Sequence, residues 1–202
     1  MSKNSCYSLV RREMEHQATG TVFALKDFEK FGASTAVRTA LSRLTKEGFC
    51  KRILPGIYYR PSYSKMLKKE VAPISHDVAQ ALARNYDWTI LPSPVHAQNG
   101  LGMSTQVPAR VEYTSTGPSR TYMVGNIPVR FRHSRSKYMS KMSYSSAFVT
   151  NAFQGLKDME IEDATLSAVA SRLTNAEKDT LMNEVGYAPV LMRPTLIEIA
   201  AR

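Results

Sequence analysis

Cysteine and histidine are scarce in this chain of 202 residues. Cys6 and Cys50 lie far apart and neither belongs to a CxxC pair, so no disulfide framework or cysteine zinc site is expected. The four histidines are scattered, and none forms an HExxH or HxH arrangement. The sequence therefore predicts no bound metal and no cofactor.

Long apolar runs are also absent. No stretch approaches the ~18 consecutive apolar residues of a membrane-spanning helix. Residues 1–17 lack the apolar core of a signal peptide. We therefore expect a cytoplasmic protein that has no membrane partner.

Sequence signatures of catalysis are missing as well. The chain contains no GxxxxGK[ST], GxGxxG or GxSxG motif. His76 and Asp77 are adjacent, but consecutive residues on a helix point about 100° apart and do not form a proton relay. Residues 1–142 hold too few carboxylates for a two-metal site. We predict that the protein is not an enzyme.

What the chain has in excess is positive charge, with a formal net charge of +10. The charge is uneven, because residues 1–75 carry +8, residues 76–142 carry +5 and residues 143–202 carry −3. A polyanion is a suitable partner for the two basic blocks, and the acidic block suggests a second kind of partner. The alternative, which we favour for the acidic block, is that net charge only maintains solubility.

The most informative stretch is residues 34–59. Wrapped on a helix of 3.6 residues per turn, residues 34–46 place an apolar stripe on one side, at the spacing of a core-facing helix. The stripe consists of Val37, Ala40, Leu41 and Leu44. The opposite face is polar and cationic, and no carboxylate appears before Glu47. Gly48 then predicts the end of the helix.

A hairpin is predicted directly after this helix, because Pro55 and Gly56 form a turn between two short β-like segments. A polar, cationic helix followed by a basic hairpin is typical of a winged helix-turn-helix, in which the helix enters the major groove and the hairpin contacts the backbone. The predicted DNA-contacting residues are Ser34, Thr35, Arg38, Thr39, Ser42, Arg43, Lys46, Lys51, Arg52 and Arg60. The alternative is that both surfaces are polar only because they face water.

Three shorter segments precede this helix. Residues 5–17 are predicted to form a helix, residues 21–23 a strand that pairs with the hairpin, and residues 25–34 a short amphipathic helix. The side chains expected to face inward in the last segment are Leu25, Phe28 and Phe31. The order of helix, strand, helix, helix and hairpin supports the winged-helix interpretation.

The segments after the hairpin are less distinctive. Residues 62–74 are predicted to be a connector, followed by a helix at residues 75–87. The connector contains Lys65, Lys68 and Lys69. These lysines either contact phosphates or form a solvated face.

Residues 91–110 are dense in small and amide-bearing side chains. They form either a binding loop or a structural turn–helix–turn whose side chains bond to the backbone.

The clearest β region comprises residues 109–114, 120–125 and 127–133, which predict a three-stranded antiparallel meander. The side chains expected to face the core in its last strand are Ile127, Val129 and Phe131. The region also contains four arginines, Arg110, Arg120, Arg130 and Arg132. These arginines either add a basic surface for nucleic acid or form a charged outer face of the sheet. We expect residues 134–143 to be an exposed linker and the remaining sixty or so residues to be helical.

Two segments agree in order and spacing with a known family. They read GASTAVRTALSRLTKEGFCKRILPGIYYRP and LPSPVHAQNGLGMSTQVPARVEYTSTGPSRTYMVGNIPVRFRH, and STQVPA and STGPSR are their most distinctive parts. Over residues 21–133 the chain resembles the AbiEi antitoxins of type IV toxin–antitoxin systems, which act in abortive infection, a form of phage defence. The resemblance implies an N-terminal winged helix that represses its own operon. It also implies a C-terminal region that counters a nucleotidyltransferase-like toxin, with which the antitoxin need not form a stable complex.

The sequence thus predicts an α+β fold, with a winged helix-turn-helix in residues 1–62. Residues 63–202 are predicted to hold a small α/β domain with the meander and a helical C-terminal tail. The expected function is a DNA-binding antitoxin and autorepressor. Its expected DNA partner is double-stranded promoter DNA with inverted repeats, bound by two copies of the chain. The alternatives are a winged-helix regulator of a mobile element without a toxin, and an interaction module that binds a toxin directly.

Overall fold

Helices and short strands alternate along the chain, and the fold is mixed α+β, as the sequence predicted. The computed structural model describes residues 5–66, 68–105, 109–156 and 161–202. Unit 1 contains Met1–Trp88 and Met123–Ile127, and unit 2 contains Thr89–Tyr122 and Pro128–Arg202. This division counts residues 63–88 with unit 1, whereas the sequence-based boundary lies at residue 62.

Unit 1 begins with helices and strands in the order that the sequence predicted. The elements are α1 (Cys6–His16), β1 (Val22–Ala24), a 3₁₀ helix (Leu25–Phe31), α2 (Ser34–Lys46), β2 (Lys51–Leu54), β3 (Ile57–Tyr59), β4 (Ser62–Ser64), β5 (Lys69–Val71) and α3 (Ser75–Tyr86). Strands β1, β3 and β2 form a sheet in that order, and both pairings are antiparallel. The prediction that a short strand before the second helix pairs with the hairpin is therefore confirmed.

The core of unit 1 lies between α1, α2 and the sheet. The four apolar residues predicted for α2, namely Val37, Ala40, Leu41 and Leu44, are all buried. They pack with a cluster that includes Val10, Met14, Phe23, Phe28 and Tyr58. Burial of this stripe fixes the rotation of α2 and leaves its polar face in solvent.

The segment after β1 is a 3₁₀ helix of seven residues where the sequence predicted an amphipathic helix. Only Phe28 is fully buried, while Leu25 and Phe31 are half-buried. The backbone N–H of Ala24 donates to the Asp27 carboxylate at 2.8 Å, and that of Leu25 donates to the Gly56 carbonyl at 2.8 Å. These bonds fix the start of the segment against the hairpin turn.

Three further elements of unit 1, β4, β5 and α3, follow the first sheet. The predicted connector contains an antiparallel hairpin, in which β4 pairs with β5. Its strands have no apolar alternation, so the sequence pattern did not indicate them. Helix α3 packs against β1, β3 and the 3₁₀ helix. The Arg84 side chain donates to both Asp27 carboxylate oxygens, at 3.0 and 3.1 Å.

The remaining elements run from residue 90 to the C-terminal helix. They are β6 (Ile90–Pro92), α4 (Pro94–Gly100), β7 (Val111–Ser115), β8 (Arg120–Val124), β9 (Ile127–His133), α5 (Tyr138–Lys141), α6 (Tyr144–Phe153), α7 (Asp163–Ala170), α8 (Asn175–Glu184) and α9 (Arg193–Ala201). The predicted helical tail is therefore confirmed.

The predicted antiparallel meander is wrong. The strand order is β6–β7–β9–β8, and β7 pairs with β9 in parallel, with Val111 opposite Val129. Val129 and Phe131 of β9 are 0% and 2% exposed, and β9 lies between β7 and the edge strand β8. Ile127, which was expected to face the core, is 49% exposed at the start of β9.

The core of unit 2 is built around α6. Its buried residues pack with α7, α8 and α9 through Leu166, Val169, Leu181, Leu196 and Ile199. The predicted linker at residues 134–143 is wrong in part, because α5 forms there and Tyr138 and Met139 are each 1% exposed. Across the described ranges, no helix has the length and apolar character needed to span a membrane.

Candidate nucleic-acid interface

The outer face of α2 presents seven of the ten predicted DNA-contacting residues to solvent. Ser34, Thr35, Arg38, Thr39, Ser42, Arg43 and Lys46 are all exposed. Because the buried stripe fixes the rotation of the helix, these side chains share one side of unit 1. Glu47, the first acidic residue after the start of α2, lies beyond the last turn of the helix.

Two of these side chains line a cleft together with the β2–β3 hairpin. Arg38 and Ser42 come from α2, and Arg52 comes from β2. The other lining residues are Leu25, Pro55, Gly56, Tyr58, Asn85 and Tyr86. The cleft has a volume of about 440 Å³, and none of these lining residues is acidic. The surface is therefore suited to an anionic ligand.

Tyr58 lines the same cleft as the two arginines, and it is 7% exposed. Burial raises the pKa of its phenol, and the nearby Arg52 and Arg38 guanidinium groups oppose that rise. Neither arginine forms an ion pair with any residue of the described ranges. Two positive charges, one from the helix and one from the hairpin, thus converge without a neutralising carboxylate among these residues.

The position of the hairpin turn depends on Gly56 and α3. Gly56 has φ +77°, and a Cβ atom at this position would lie 3.1 Å from the Asn85 side-chain nitrogen. A Cβ atom at the turn would therefore require the Asn85 side chain of α3 to shift by a few tenths of an ångström. Asn85 and Tyr86 line the cleft without having been predicted, because they follow the hairpin by about thirty positions and carry no local signal.

Lys51 and Arg60, two other predicted contacts, are engaged within unit 1. Lys51 forms an ion pair with Glu70 of β5, and the Tyr59 hydroxyl donates to the same carboxylate. The Lys51 bond lowers the pKa of Glu70, and burial raises the pKa of Tyr59 to about 12. The Arg60 guanidinium donates to the carbonyls of Met14, Glu15 and Gln17, at 3.4, 3.2 and 2.8 Å. It therefore satisfies carbonyl groups at the C-terminal end of α1.

Arg43 and Thr39 also have partners. The Arg43 guanidinium lies 4.5 Å from the centroid of the Tyr7 ring. Tyr7 in turn donates to Glu47 at 2.5 Å and accepts from Arg11 at 3.2 Å. The Thr39 hydroxyl donates to the Thr35 carbonyl at 2.9 Å. Four of the ten predicted residues thus have partners within unit 1, whereas Arg38, Ser42 and Arg52 line the cleft. The Arg52 Nε also donates to the Leu54 carbonyl of its own strand, at 3.4 Å.

The four arginines of unit 2 lie on or next to its sheet. Arg110 and Arg120 are exposed, and Arg130 is half-buried. Arg132 forms an ion pair with Glu112 at 2.8 Å. Arg132 is therefore neutralised locally, which favours the interpretation of a charged outer face for that residue.

In residues 91–110, side-chain amides bond to the backbone. The Gln98 side chain donates to the Ala152 carbonyl at 2.9 Å, and that of Asn99 donates to the Ser104 carbonyl at 3.1 Å. Ser93 and His96 are joined at 2.8 Å, and burial lowers the pKa of His96. These bonds favour the structural interpretation of this stretch. The central part of STQVPA, residues 106–108, lies outside the described residues.

Metal-binding geometry is absent from the part of the chain that the structure describes, where no three His, Cys, Asp or Glu side chains are grouped around a common point.

Comparison with known proteins identifies the family. No curated protein matches the chain. A family profile, by contrast, covers α1 from Val10 onward, the cleft-forming elements and unit 2 as far as Leu181 in α8. The chain belongs to DUF6088, a family of unknown function, whose profile matches residues 10–181.

Proposed function

We propose that unit 1 contains a winged helix-turn-helix that binds duplex DNA, with α2 in the major groove and the β2–β3 hairpin against the backbone. The order of its first six elements supports this proposal: helix, strand, short helix, helix and two strands. The observation that carries it is the convergence of Arg38 and Arg52 on one cleft whose lining contains no acidic residue. Two such guanidinium groups, on a helix and its adjacent hairpin, suit simultaneous contact with bases and phosphates.

Each part of the cleft has a role in this proposal. Arg38 is the candidate base-reading residue, because a guanidinium donates two parallel hydrogen bonds to O6 and N7 of guanine. Ser34 and Thr35 lie in the first turn of α2, where backbone N–H groups lack helical partners and are available to a phosphate. Arg52 in the hairpin is positioned to contact the backbone beside the groove.

The biological role that we propose is that of a cytoplasmic antitoxin that represses its own operon and counters a nucleotidyltransferase-like toxin. The support is the resemblance of residues 21–133 to the AbiEi antitoxins. The DNA-binding part of the proposal also has the cleft in its favour, whereas the antitoxin part has the resemblance alone.

The DNA-binding proposal is tested by comparing two arginines of one helix. Arg38→Ala is expected to weaken binding to the gene's own upstream DNA by about 1–3 kcal/mol and to relax sequence preference, because it removes a base contact. Arg43→Ala is the matched control, since it removes the same charge from a side chain that lies on Tyr7. Binding is measured by fluorescence anisotropy over a range of salt concentrations.

Wild-type affinity is expected to fall by roughly 10³-fold or more between low and moderate salt, as counterion release requires when several phosphates are contacted. Equal effects of the two substitutions would contradict the assignment of Arg38. Binding that is absent, or independent of salt, would contradict the DNA-binding function itself.

A further inference from the structure

The cleft of unit 1 contains more than the arginines that the DNA-binding proposal uses. Helix α3 contributes Asn85 and Tyr86 to its lining, and neither has a part in that proposal. The volume of about 440 Å³ lies within the range of about 300–1,000 Å³ that is typical of small-molecule sites. Such sites combine apolar walls with a few convergent polar groups, and the cleft has both.

Tyr86 offers a small ligand an aromatic surface. Its ring stacks on that of Trp88, with 4.9 Å between the centroids and 23° between the planes. Trp88 stacks on one face of the ring, and Tyr86 is nevertheless 40% exposed. A ring that is already held by a neighbouring ring suits the stacking of a flat ligand, because binding then requires little further ordering of the protein.

Asn85 supplies polar groups beside that ring. Its carboxamide lies over the hairpin turn, since a Cβ atom on Gly56 would be 3.1 Å from Nδ2 and 3.2 Å from Oδ1. The residue is half-buried, and its side chain forms no hydrogen bond with any residue that the structure describes. A donor and an acceptor are thus both available, and the edge of a nucleobase presents the same two kinds of group.

The cleft also has a cationic part. Arg38 and Arg52 line it, and none of its lining residues is acidic. Asp87, which directly follows Tyr86, is bound by Lys26. Guanidinium groups bind phosphate through two parallel hydrogen bonds. The cleft therefore combines phosphate-binding groups with an aromatic ring and a free carboxamide, which together match the two halves of a nucleotide.

We propose that this cleft binds a free nucleotide, with the base on Tyr86 and Asn85 and the phosphate on Arg38 and Arg52. Because the same arginines are the proposed DNA contacts, the nucleotide and the duplex exclude each other. A bound nucleotide then releases the DNA, and the cleft is a regulatory site of the repressor. This regulatory role rests on the proposed function, whereas nucleotide binding itself does not.

The first experiment measures nucleotide binding by the full chain. Trp88 is the single tryptophan, so its fluorescence reports on the ring that stacks against Tyr86. The probes are AMP and GMP at constant ionic strength, and we expect a saturable change in emission and one-to-one binding by isothermal titration calorimetry. Inorganic phosphate, adenosine and guanosine each carry only one half of the ligand. We expect them to bind about tenfold more weakly or worse.

Three variants test the assigned residues. Tyr86→Ala is expected to weaken nucleotide binding about tenfold, as loss of a stacked base does, and to leave the affinity for duplex DNA unchanged. The matched control is Tyr63→Ala, because Tyr63 is 64% exposed and is not among the residues that line the cleft. It should keep both affinities. Asn85→Ala is expected to weaken nucleotide binding about fivefold, and it provides the test if Tyr86→Ala does not fold.

The second experiment measures competition. In fluorescence anisotropy with a labelled duplex, AMP or GMP at about nine times its own Kd is expected to raise the apparent Kd for the duplex about tenfold. Sodium chloride at equal ionic strength is the control for screening. Simultaneous binding of nucleotide and duplex, without competition, would overturn the regulatory role.

The possible results separate this inference from the proposed function. A wild-type protein that binds the duplex but neither AMP nor GMP would overturn the nucleotide site and leave the DNA-binding function standing. Phosphate that binds as tightly as the nucleotides would also overturn it, as would unchanged nucleotide affinity in Tyr86→Ala and Asn85→Ala. Nucleotide binding without any duplex binding would overturn the proposed function and the regulatory role, and it would support the nucleotide site.

Discussion

Tyr138 is the residue whose environment has the clearest energetic consequence. It is 1% exposed, and its hydroxyl lies 2.9 Å from Oδ1 of Asn151 and 2.8 Å from Oε1 of Gln154. The Asn151 amide nitrogen donates in turn to the Pro92 carbonyl at 2.7 Å. Removing the hydroxyl leaves a buried acceptor without its donor, and that penalty exceeds the value of the bond itself.

Tyr138→Phe is therefore expected to lower the free energy of unfolding by about 1–3 kcal/mol at neutral pH. Tyr187→Phe is the control, because Tyr187 is 52% exposed and its loss should have little effect. Urea titrations with an unchanged m-value measure the difference. Equal stability of the two variants would show that the Tyr138 hydroxyl contributes nothing.

The same residue predicts how stability depends on alkaline pH. Burial raises the pKa of Tyr138 from 10.0 to about 12, so the native state keeps a proton that the unfolded chain releases. Stability is complete below the lower value and falls as pH rises towards the higher one. Tyr138→Phe should lose less stability over this interval than the wild-type protein does. A native tyrosine spectrum that titrates entirely near the ordinary pKa would contradict this expectation.

The burial and the bonding partners of individual residues show which site predictions could be made from the sequence. The polar face of α2 was predictable because its 3.6-residue period is local, and the burial of Leu41 and Leu44 agrees with it. The engagement of Arg60 by the carbonyls of α1 was not, since those partners lie more than forty positions away. Composition identifies cations but does not reveal which of them already have partners.

At the scale of elements, the turn of the β2–β3 hairpin is the most sensitive point of the proposed interface. Gly56 combines a positive φ of +77° with a close approach to Asn85. Gly48, at φ +72°, is surrounded by open space, because a Cβ added there would meet nothing within 4 Å. Alanine at either position meets similar backbone strain, of about 1–2 kcal/mol. Only Gly56→Ala also displaces Asn85.

Gly56→Ala is thus expected to destabilise the protein more than Gly48→Ala does and to weaken DNA binding by moving Arg52 and Tyr58. Asn85→Ala in the Gly56→Ala background should remove the additional part of the destabilisation, because the steric partner is then absent. A double-mutant cycle on unfolding free energies measures this coupling. Strictly additive substitutions would mean that the turn does not depend on α3.

Elements differ in how far the sequence predicted them, for a physical reason. Helix α2 and the pairing of β1 follow from local period and turn chemistry. The order β7–β9–β8 depends on which strands pair over long distances in the sequence, and no local pattern encodes that pairing. The β4–β5 hairpin and α5 are too short for a periodic signal. They are held by long-range contacts of Glu70 and Tyr138.

At the scale of the whole molecule, the most basic block and the acidic block of the chain lie in different units. Residues 1–75 carry +8 and lie within unit 1, which contains the candidate interface. Residues 143–202 carry −3 and lie within unit 2. Acidic helices do not favour DNA binding, because negative charge near phosphate is repulsive. We therefore expect the proposed antitoxin activity to depend on surfaces other than the cleft.

Arg38→Ala combined with Arg52→Ala tests this division in the full chain. It is expected to abolish repression of a reporter fused to the operon's own promoter, because both arginines that line the cleft are removed. The same variant, expressed from an unrelated promoter, should still protect cells from the toxin. Arg43→Ala should retain both activities, since that side chain is engaged by Tyr7. Protein levels are matched by immunoblot. Loss of protection in a stably expressed Arg38/Arg52 variant would mean that one surface serves both activities.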